Sequence, residues 1–173
     1  MNLPNKLTVI RIALVPVCLI LLALGLPIAA GAVFAIASIT DFVDGHLARK
    51  NNMVTNFGKF ADPIADKILT ATMMVLMASK GLLPVWLPII VIIRELMVDG
   101  LRLIAVEKGT VVAAGMSGKV KTVLQMITII YACVFQNVLG LLLSLVSAAL
   151  TVYSGAEYFY QLRHLFMKDL GKE

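Results

Sequence analysis

The sequence contains few of the residues on which soluble and disulfide-stapled proteins depend. Charged side chains make up only 14% of its 173 residues, against roughly 25% in typical soluble proteins. Its two cysteines, Cys18 and Cys133, both lie inside apolar runs, which argues against a disulfide framework or a metal knuckle. The two histidines, His46 and His164, are too few for histidine-based zinc chemistry.

Apolar residues dominate the chain instead, at 60% of the total with a mean hydropathy of +0.95. A soluble domain of this size could not bury so much apolar surface, and a disordered chain would not contain it. The net charge of +5 does not indicate nucleic acid, because in a membrane protein cations set orientation and meet anionic headgroups. We therefore expect residues 1–173 to form one integral membrane domain.

Six segments are long and apolar enough to cross about 30 Å of hydrocarbon. The predicted fold is all-α, with six transmembrane helices and a polar cavity open to the cytoplasm. The start of the chain could also be a signal peptide, because Lys6 and Arg11 precede an apolar stretch that ends in small residues near Ala29. An uncleaved span is favoured, since the run is long enough to cross and another follows at once. The predicted spans are Leu7–Leu26, Ala29–Ala48, Phe57–Ser79, Pro84–Val106, Val120–Phe135 and Val138–Tyr160.

The cations of the polar segments are distributed unequally between the two sides that six spans would create. One side would hold both termini and ten Lys or Arg residues, whereas the other would hold only Lys80. The positive-inside rule then places both termini and the two longer polar loops in the cytoplasm.

Four aspartates interrupt the second and third apolar runs: Asp41, Asp44, Asp62 and Asp66. Spacings of three and four residues place each pair on one face of its helix. At 1.5 Å per residue, all four lie about 7.5–13.5 Å from the cytoplasmic ends of their spans, so two antiparallel neighbours would bring them to one level. Intramembrane acids usually face a protein interior or a wet cavity and mark function.

Four clustered carboxylates would repel one another unless cations intervene. Two divalent ions balance their charge, and oxygen-only ligands favour Mg²⁺ or Mn²⁺ over zinc. Gly45 and Ala48 leave room for a bulky ligand, while Arg49 suits phosphate oxygens. The pattern therefore predicts a two-metal site for a phosphorylated substrate, with buried ion pairs between helices as the structural alternative.

The string Asp41-x-x-Asp44-Gly45-x-x-Ala48-Arg49, followed after eight residues by Gly58-x-x-x-Asp62-x-x-x-Asp66, resembles the signature of the CDP-alcohol phosphatidyltransferase family. The resemblance implies a six-span membrane enzyme that moves a phosphatidyl group from a CDP-linked lipid to an alcohol. It also implies a homodimer and the bacterial inner membrane, with the active site on the cytoplasmic side.

Within the family, strings outside the signature favour transfer from CDP-diacylglycerol to sn-glycerol 3-phosphate. They include Asp62-Pro63-x-Ala65-Asp66-Lys67, Arg94-Glu95 and Gly118-Lys119-x-Lys121-Thr122, and the chain departs from the expected pattern at Asp99. Alternatives are a sibling transferase that uses inositol phosphate, serine or phosphatidylglycerol, or, from another class, a divalent-cation transporter.

The resemblance also implies roles for individual residues. Asp66 would be the catalytic base as well as one of the four metal ligands. Arg94 and Arg102, about 80° apart around the fourth span, could share a cavity face, although Arg102 could instead pair with Asp99. The implied CDP-lipid contacts are Asn5, Thr8, Gly45, Ala48, Arg49, Thr55 and Gly58, and the implied acceptor-phosphate contacts are Arg94, Arg102, Lys119 and Lys121.

Overall fold

The computed structural model describes the backbone of residues 3–50, 56–109 and 115–170, and the side chains of residues 8–40, 62–109 and 115–163. Within these ranges the chain is entirely helical apart from short turns, so the predicted all-α class is confirmed. The helices are α1 (Leu3–Ala23), α2 (Pro27–Lys50), α3 (Asn56–Ser79), α4 (Trp86–Glu107), α5 (Met116–Val134) and α6 (Val138–Leu170).

Four helix ends differ by three or more residues from the ends of the predicted spans. Helix α1 begins at Leu3, four residues before the expected Leu7. Helix α1 ends at Ala23 rather than Leu26, because Gly25 adopts a φ of 78° that stops the helix. Helix α5 begins at Met116, four residues before the expected Val120, so its first turns include polar residues. Helix α6 continues to Leu170, well beyond the hydrophobic stretch that defined the expected span.

Tight turns of the same kind end α1 and α3. Gly25 and Gly81 both have φ above 70°, and the following residue in each turn donates its N–H to a carbonyl five residues back. These 6→1 bonds are Leu26 to Leu21 at 3.0 Å and Leu82 to Met77 at 2.9 Å, the Schellman pattern. Lys80 joins the two turns by donating to the Ala23 carbonyl at 3.1 Å. The α1–α2 and α3–α4 connections therefore lie at one end of the bundle.

A close-packed apolar core fills the bundle between these turns. Three methionines of α3, Met73, Met74 and Met77, lie in it with no exposed surface. Deleting such contacts costs several kcal/mol per large side chain, so this core fixes how the helices are arranged. Its fully buried members include Cys18, Leu22, Phe34, Leu69, Met73, Met74, Met77, Leu87 and Ile129.

The outer surfaces of the helices are apolar as well. Segment 138–163 of α6 is long and apolar enough to cross a membrane, and shorter apolar segments occupy 8–23 and 27–40. Large exposed hydrophobic side chains stand on every helix, a surface that suits lipid better than water. Examples are Ile20, Ile36, Val75, Leu103, Val123 and Val152.

Helices α2 and α5 pack closely against each other at Gly31. A Cβ at this position would lie 2.8 Å from the Cβ of Cys133, too close for either helix to accommodate without moving. We expect Gly31→Ala to lower the thermal unfolding midpoint in detergent, because overpacking costs about 1–3 kcal/mol. Gly100→Ala is the matched control, since nothing lies within 4 Å of its added methyl and alanine favours the helix. An equal or higher midpoint for Gly31→Ala would contradict this close packing.

Candidate active site

A cavity of about 430 Å³ lies between α3, α4, α5 and α6. Its walls carry seven charged side chains together with polar Gln125 and Tyr158. So much charge in a largely apolar bundle marks this cavity as the candidate active site. The charged residues that line it are Asp66, Lys67, Arg94, Glu95, Asp99, Arg102 and Lys121.

Helical spacing explains how α4 presents its charged residues to the cavity. Val91, Glu95 and Asp99 repeat every four residues, while Arg94, Val98 and Arg102 form a parallel row one position behind. The expectation that Arg94 and Arg102 share a cavity face agrees with this arrangement. Gly118 and Lys121 of α5 form the opposite wall.

Glu95 lies at the centre of a cluster that ties three helices together. Its Oε1 accepts from Arg94 Nη1 at 3.0 Å and from the ammonium group of Lys121 on α5. Its Oε2 lies 3.4 Å from Lys67 Nζ on α3. Arg94 and Lys121 are only 9% and 4% exposed, so Glu95 supplies the counter-charge that permits their burial.

Lys67 reaches across the cavity from α3 to α4. Its ammonium group contacts both carboxylate oxygens of Asp99, in addition to Glu95. Asp99, which departs from the pattern that the family resemblance leads one to expect, pairs its carboxylate with Lys67. The alternative pairing of Asp99 with Arg102 is therefore wrong.

Arg102 is held by a tyrosine. Its Nη2 donates to the hydroxyl of Tyr158 on α6 at 2.6 Å. The Tyr158 ring also lies 5.1 Å from the Arg102 guanidinium carbon and 5.7 Å from that of Arg94, within cation–π range. The same hydroxyl accepts the backbone N–H of Gly115 at 3.3 Å, just before α5 begins.

Two of the four signature aspartates, Asp62 and Asp66, lie on α3 within the range of described side chains. Asp66 lines the cavity, and Asp62 stands one turn away along α3. The hydroxyl of Thr8, which is 1% exposed, donates to Asp62 Oδ1 and so joins α1 to α3. Thr8 was expected on the CDP-lipid side of the site, and this contact brings it to a signature carboxylate.

The other half of the signature lies outside the described side chains. Asp41 and Asp44 belong to the described backbone of α2, but the four-carboxylate cluster stays a prediction. Within the side chains at 8–40, 62–109 and 115–163, no three His, Cys, Asp or Glu residues form a metal-binding group. The CDP-lipid contacts that also lie outside the described side chains are Asn5, Gly45, Ala48, Arg49, Thr55 and Gly58.

The remaining cation expected at the acceptor site does not line the cavity. Lys119 is exposed near the start of α5, whereas Lys121, two residues later, is buried in the cavity wall. Two contributors to the cavity were missed: the central role of Glu95 and the contact of Tyr158 with the arginines. Arg94-Glu95 was noted as a string, but no sequence spacing links Tyr158 to a residue 56 positions earlier.

Known proteins are similar to this sequence over almost its whole length. A family model described as CDP-alcohol phosphatidyltransferase matches residues 1–153. The chain is 44% identical to a CDP-diacylglycerol–glycerol-3-phosphate 3-phosphatidyltransferase of Bacillus subtilis, over 91% of this chain and 93% of that protein. It is 35% identical to a protein of the same name from Rickettsia bellii, over 95% and 97% of the two chains.

A similar match comes from a mycobacterial protein. The chain is 40% identical to a probable phosphatidylglycerophosphate synthase of Mycobacterium tuberculosis, over 91% of this chain and 79% of that protein. Three observations indicate the same family. They are the match to the family model, the near-complete coverage of the Bacillus and Rickettsia relatives, and the signature positions Asp62 and Asp66 on α3. The chain belongs to the CDP-alcohol phosphatidyltransferase family.

Proposed function

We propose that this chain transfers the phosphatidyl group of CDP-diacylglycerol to sn-glycerol 3-phosphate, giving phosphatidylglycerophosphate and CMP. The names of the relatives that align over nearly the whole chain support this donor and this acceptor. The structural observation that carries the proposal is the cavity, because it brings Asp66 together with Arg94, Arg102 and Lys121.

The charge of the cavity suits an acceptor that carries a phosphate. Outside the aspartate signature, four cationic side chains line it against only two carboxylates, Glu95 and Asp99, which leaves a surplus of two positive charges. Lys67 is neutralised by Asp99, so the surplus belongs to Arg102 and to the Arg94–Lys121 pair that shares Glu95. A phosphate monoester carries between about −1.5 and −2 charges at neutral pH and would balance it.

The signature carboxylates fit a site for divalent cations. Their donors are hard oxygens, which suits Mg²⁺ or Mn²⁺, and Lys67 reaches towards α4 instead of neutralising them. Thr8 bonds one oxygen of Asp62 and so orients the carboxylate for a ligand. Asp41, Asp44, Asp62 and Asp66 would hold two such ions, which supply charge stabilisation at the diphosphate of the donor.

The transfer makes one phosphorus–oxygen bond and breaks another. The 1-hydroxyl oxygen of glycerol 3-phosphate attacks the β-phosphorus of CDP-diacylglycerol, and the bond from that phosphorus to the CMP oxygen breaks. Asp66, which lines the cavity, accepts the proton of the attacking hydroxyl, as its last place in the signature implies.

Substrate binding is divided between two groups of residues. We assign the acceptor phosphate to Arg94, Arg102 and Lys121 in the cavity wall, with exposed Lys119 as a further contact. The CDP-lipid contacts remain those that the family signature implies: Asn5, Thr8, Gly45, Ala48, Arg49, Thr55 and Gly58.

Two of the rival functions, transfer to serine and divalent-cation transport, fit this cavity less well. Serine lacks the phosphate that a surplus of two positive charges would bind. A divalent-cation pathway would gain nothing from four cationic side chains in its wall, because these repel the transported ion.

We also propose that all six helices span the bacterial inner membrane, with both termini and the cavity facing the cytoplasm. Each described helix has 19 residues or more, or about 28 Å at 1.5 Å per residue, which approaches the hydrocarbon thickness. The exposed apolar side chains on every helix support the same arrangement, and the excess of Lys and Arg on one side supports the orientation. We propose that the protein forms a homodimer, because the family resemblance implies one.

The cation assignments predict a selective loss of acceptor use. We expect Arg94→Ala, Arg102→Ala and Lys121→Ala each to lower kcat/KM for glycerol 3-phosphate roughly 10- to 150-fold, the effect of losing about 1.5–3 kcal/mol of charge-assisted bonding. The apparent KM for CDP-diacylglycerol should change little. Steady-state kinetics with each substrate varied in turn measures both effects.

Arg163→Ala is the control for this series, because it removes an exposed cation of α6 that does not line the cavity. If the cavity variants raise the donor KM and leave the acceptor KM unchanged, these cations serve the donor and the acceptor site lies elsewhere.

The base assignment predicts that Asp66→Asn lowers turnover by roughly 10²- to 10⁴-fold, the usual contribution of a positioned general base. CMP release at saturating substrates measures this loss. Glu107→Gln makes the same change from carboxylate to amide at an exposed position and should leave the rate near that of the parent. Near-normal turnover in Asp66→Asn would show that Asp66 is not the catalytic base.

A further inference from the structure

Arg102 differs from the other cations of the cavity in how its charge is balanced. Lys67 pairs with Asp99, and Arg94 and Lys121 share Glu95. Within the described part of the chain, Arg102 has no carboxylate partner, and its buried Nε has no hydrogen-bond partner. The orientation of this guanidinium therefore depends on a neutral group.

Tyr158 is that group. Its side chain is 2% exposed, its hydroxyl accepts from Arg102 Nη2 at 2.6 Å, and its ring lies 5.1 Å from the guanidinium carbon. A neutral partner fixes the direction of the arginine without cancelling its charge, whereas a carboxylate would do both. Only one N–H of the five-donor guanidinium is used on Tyr158, which leaves others for an anion.

The same hydroxyl also receives the backbone N–H of Gly115 at 3.3 Å, immediately before the first turn of α5. That turn leads to Lys121, which stands in the opposite wall of the cavity. Tyr158 thus contacts both the arginine side of the cavity and the start of the helix that carries its lysine.

We propose that Tyr158 is a positioning residue for the acceptor phosphate, acting through Arg102. The inference rests on the proposed transfer to glycerol 3-phosphate and adds a residue of α6 that the family signature does not contain. Tyr158 acts on the arginine rather than on the reacting atoms, so its loss should change acceptor binding more than the chemical step.

Tyr158→Phe tests the role, because it keeps the ring and its cation–π contacts but removes the hydroxyl. We expect the KM for glycerol 3-phosphate to rise roughly tenfold, the effect of losing one hydrogen bond to a charged group. The kcat and the donor KM should stay within about twofold, and competitive inhibition by inorganic phosphate should weaken in parallel. Tyr153→Phe, on an exposed face of the same helix, is the matched control and should match the parent enzyme.

A double-mutant cycle separates positioning through Arg102 from a general structural role. In an Arg102→Ala background, Tyr158→Phe should cause no further rise in the acceptor KM. An undiminished rise in that background would assign the effect to Gly115 or to the fold and overturn the proposal.

Two other results would also overturn it: an unchanged acceptor KM in Tyr158→Phe, or aggregation of this variant on size-exclusion chromatography. An inactive parent enzyme would instead refute the proposed function, so the two failures are distinguishable.

Discussion

The compensation of charge inside the helix bundle is the constraint on which the site depends. Arg94 and Lys121 are almost fully buried, and a buried cation without a partner costs several kcal/mol. Glu95 meets this requirement for both, and it also lies within 3.4 Å of Lys67. One carboxylate thus fixes the relative positions of α3, α4 and α5 around the cavity.

The positive charge of the cavity is not fully compensated by its carboxylates. If every cation had its own carboxylate, the cavity would be neutral and would offer nothing to a phosphate. Arg102 is oriented by Tyr158, which is neutral, so its charge remains available. Two features oppose the repulsion that this surplus creates between the helices. One is the pair of tight turns at Gly25 and Gly81, which Lys80 joins, and the other is the methionine-rich core.

Much of this arrangement follows from the sequence. Apolar runs and breakers such as Gly25 predict the helices and their order, and the four-residue spacing of Asp62 and Asp66 places them on one helix face. The partners of Lys67 and Arg102 could not be predicted. These contacts join residues 32 and 56 positions apart, and they depend on how each helix is rotated in the packed bundle. Spacing within one helix allowed Asp99 to pair with Arg102, an alternative that the structure contradicts because Asp99 pairs with Lys67.

The most direct test of the account is an acceptor comparison with the purified protein. CDP-diacylglycerol and Mg²⁺ are supplied with glycerol 3-phosphate, inositol phosphate, serine or glycerol, one at a time, and both CMP release and the mass of the lipid product are measured. The account predicts stoichiometric CMP and phosphatidylglycerophosphate with glycerol 3-phosphate, abolished by a chelator and nearly absent with glycerol or serine. Transfer to glycerol or serine as fast as to glycerol 3-phosphate would contradict the central claim that the cationic cavity selects its acceptor by the phosphate.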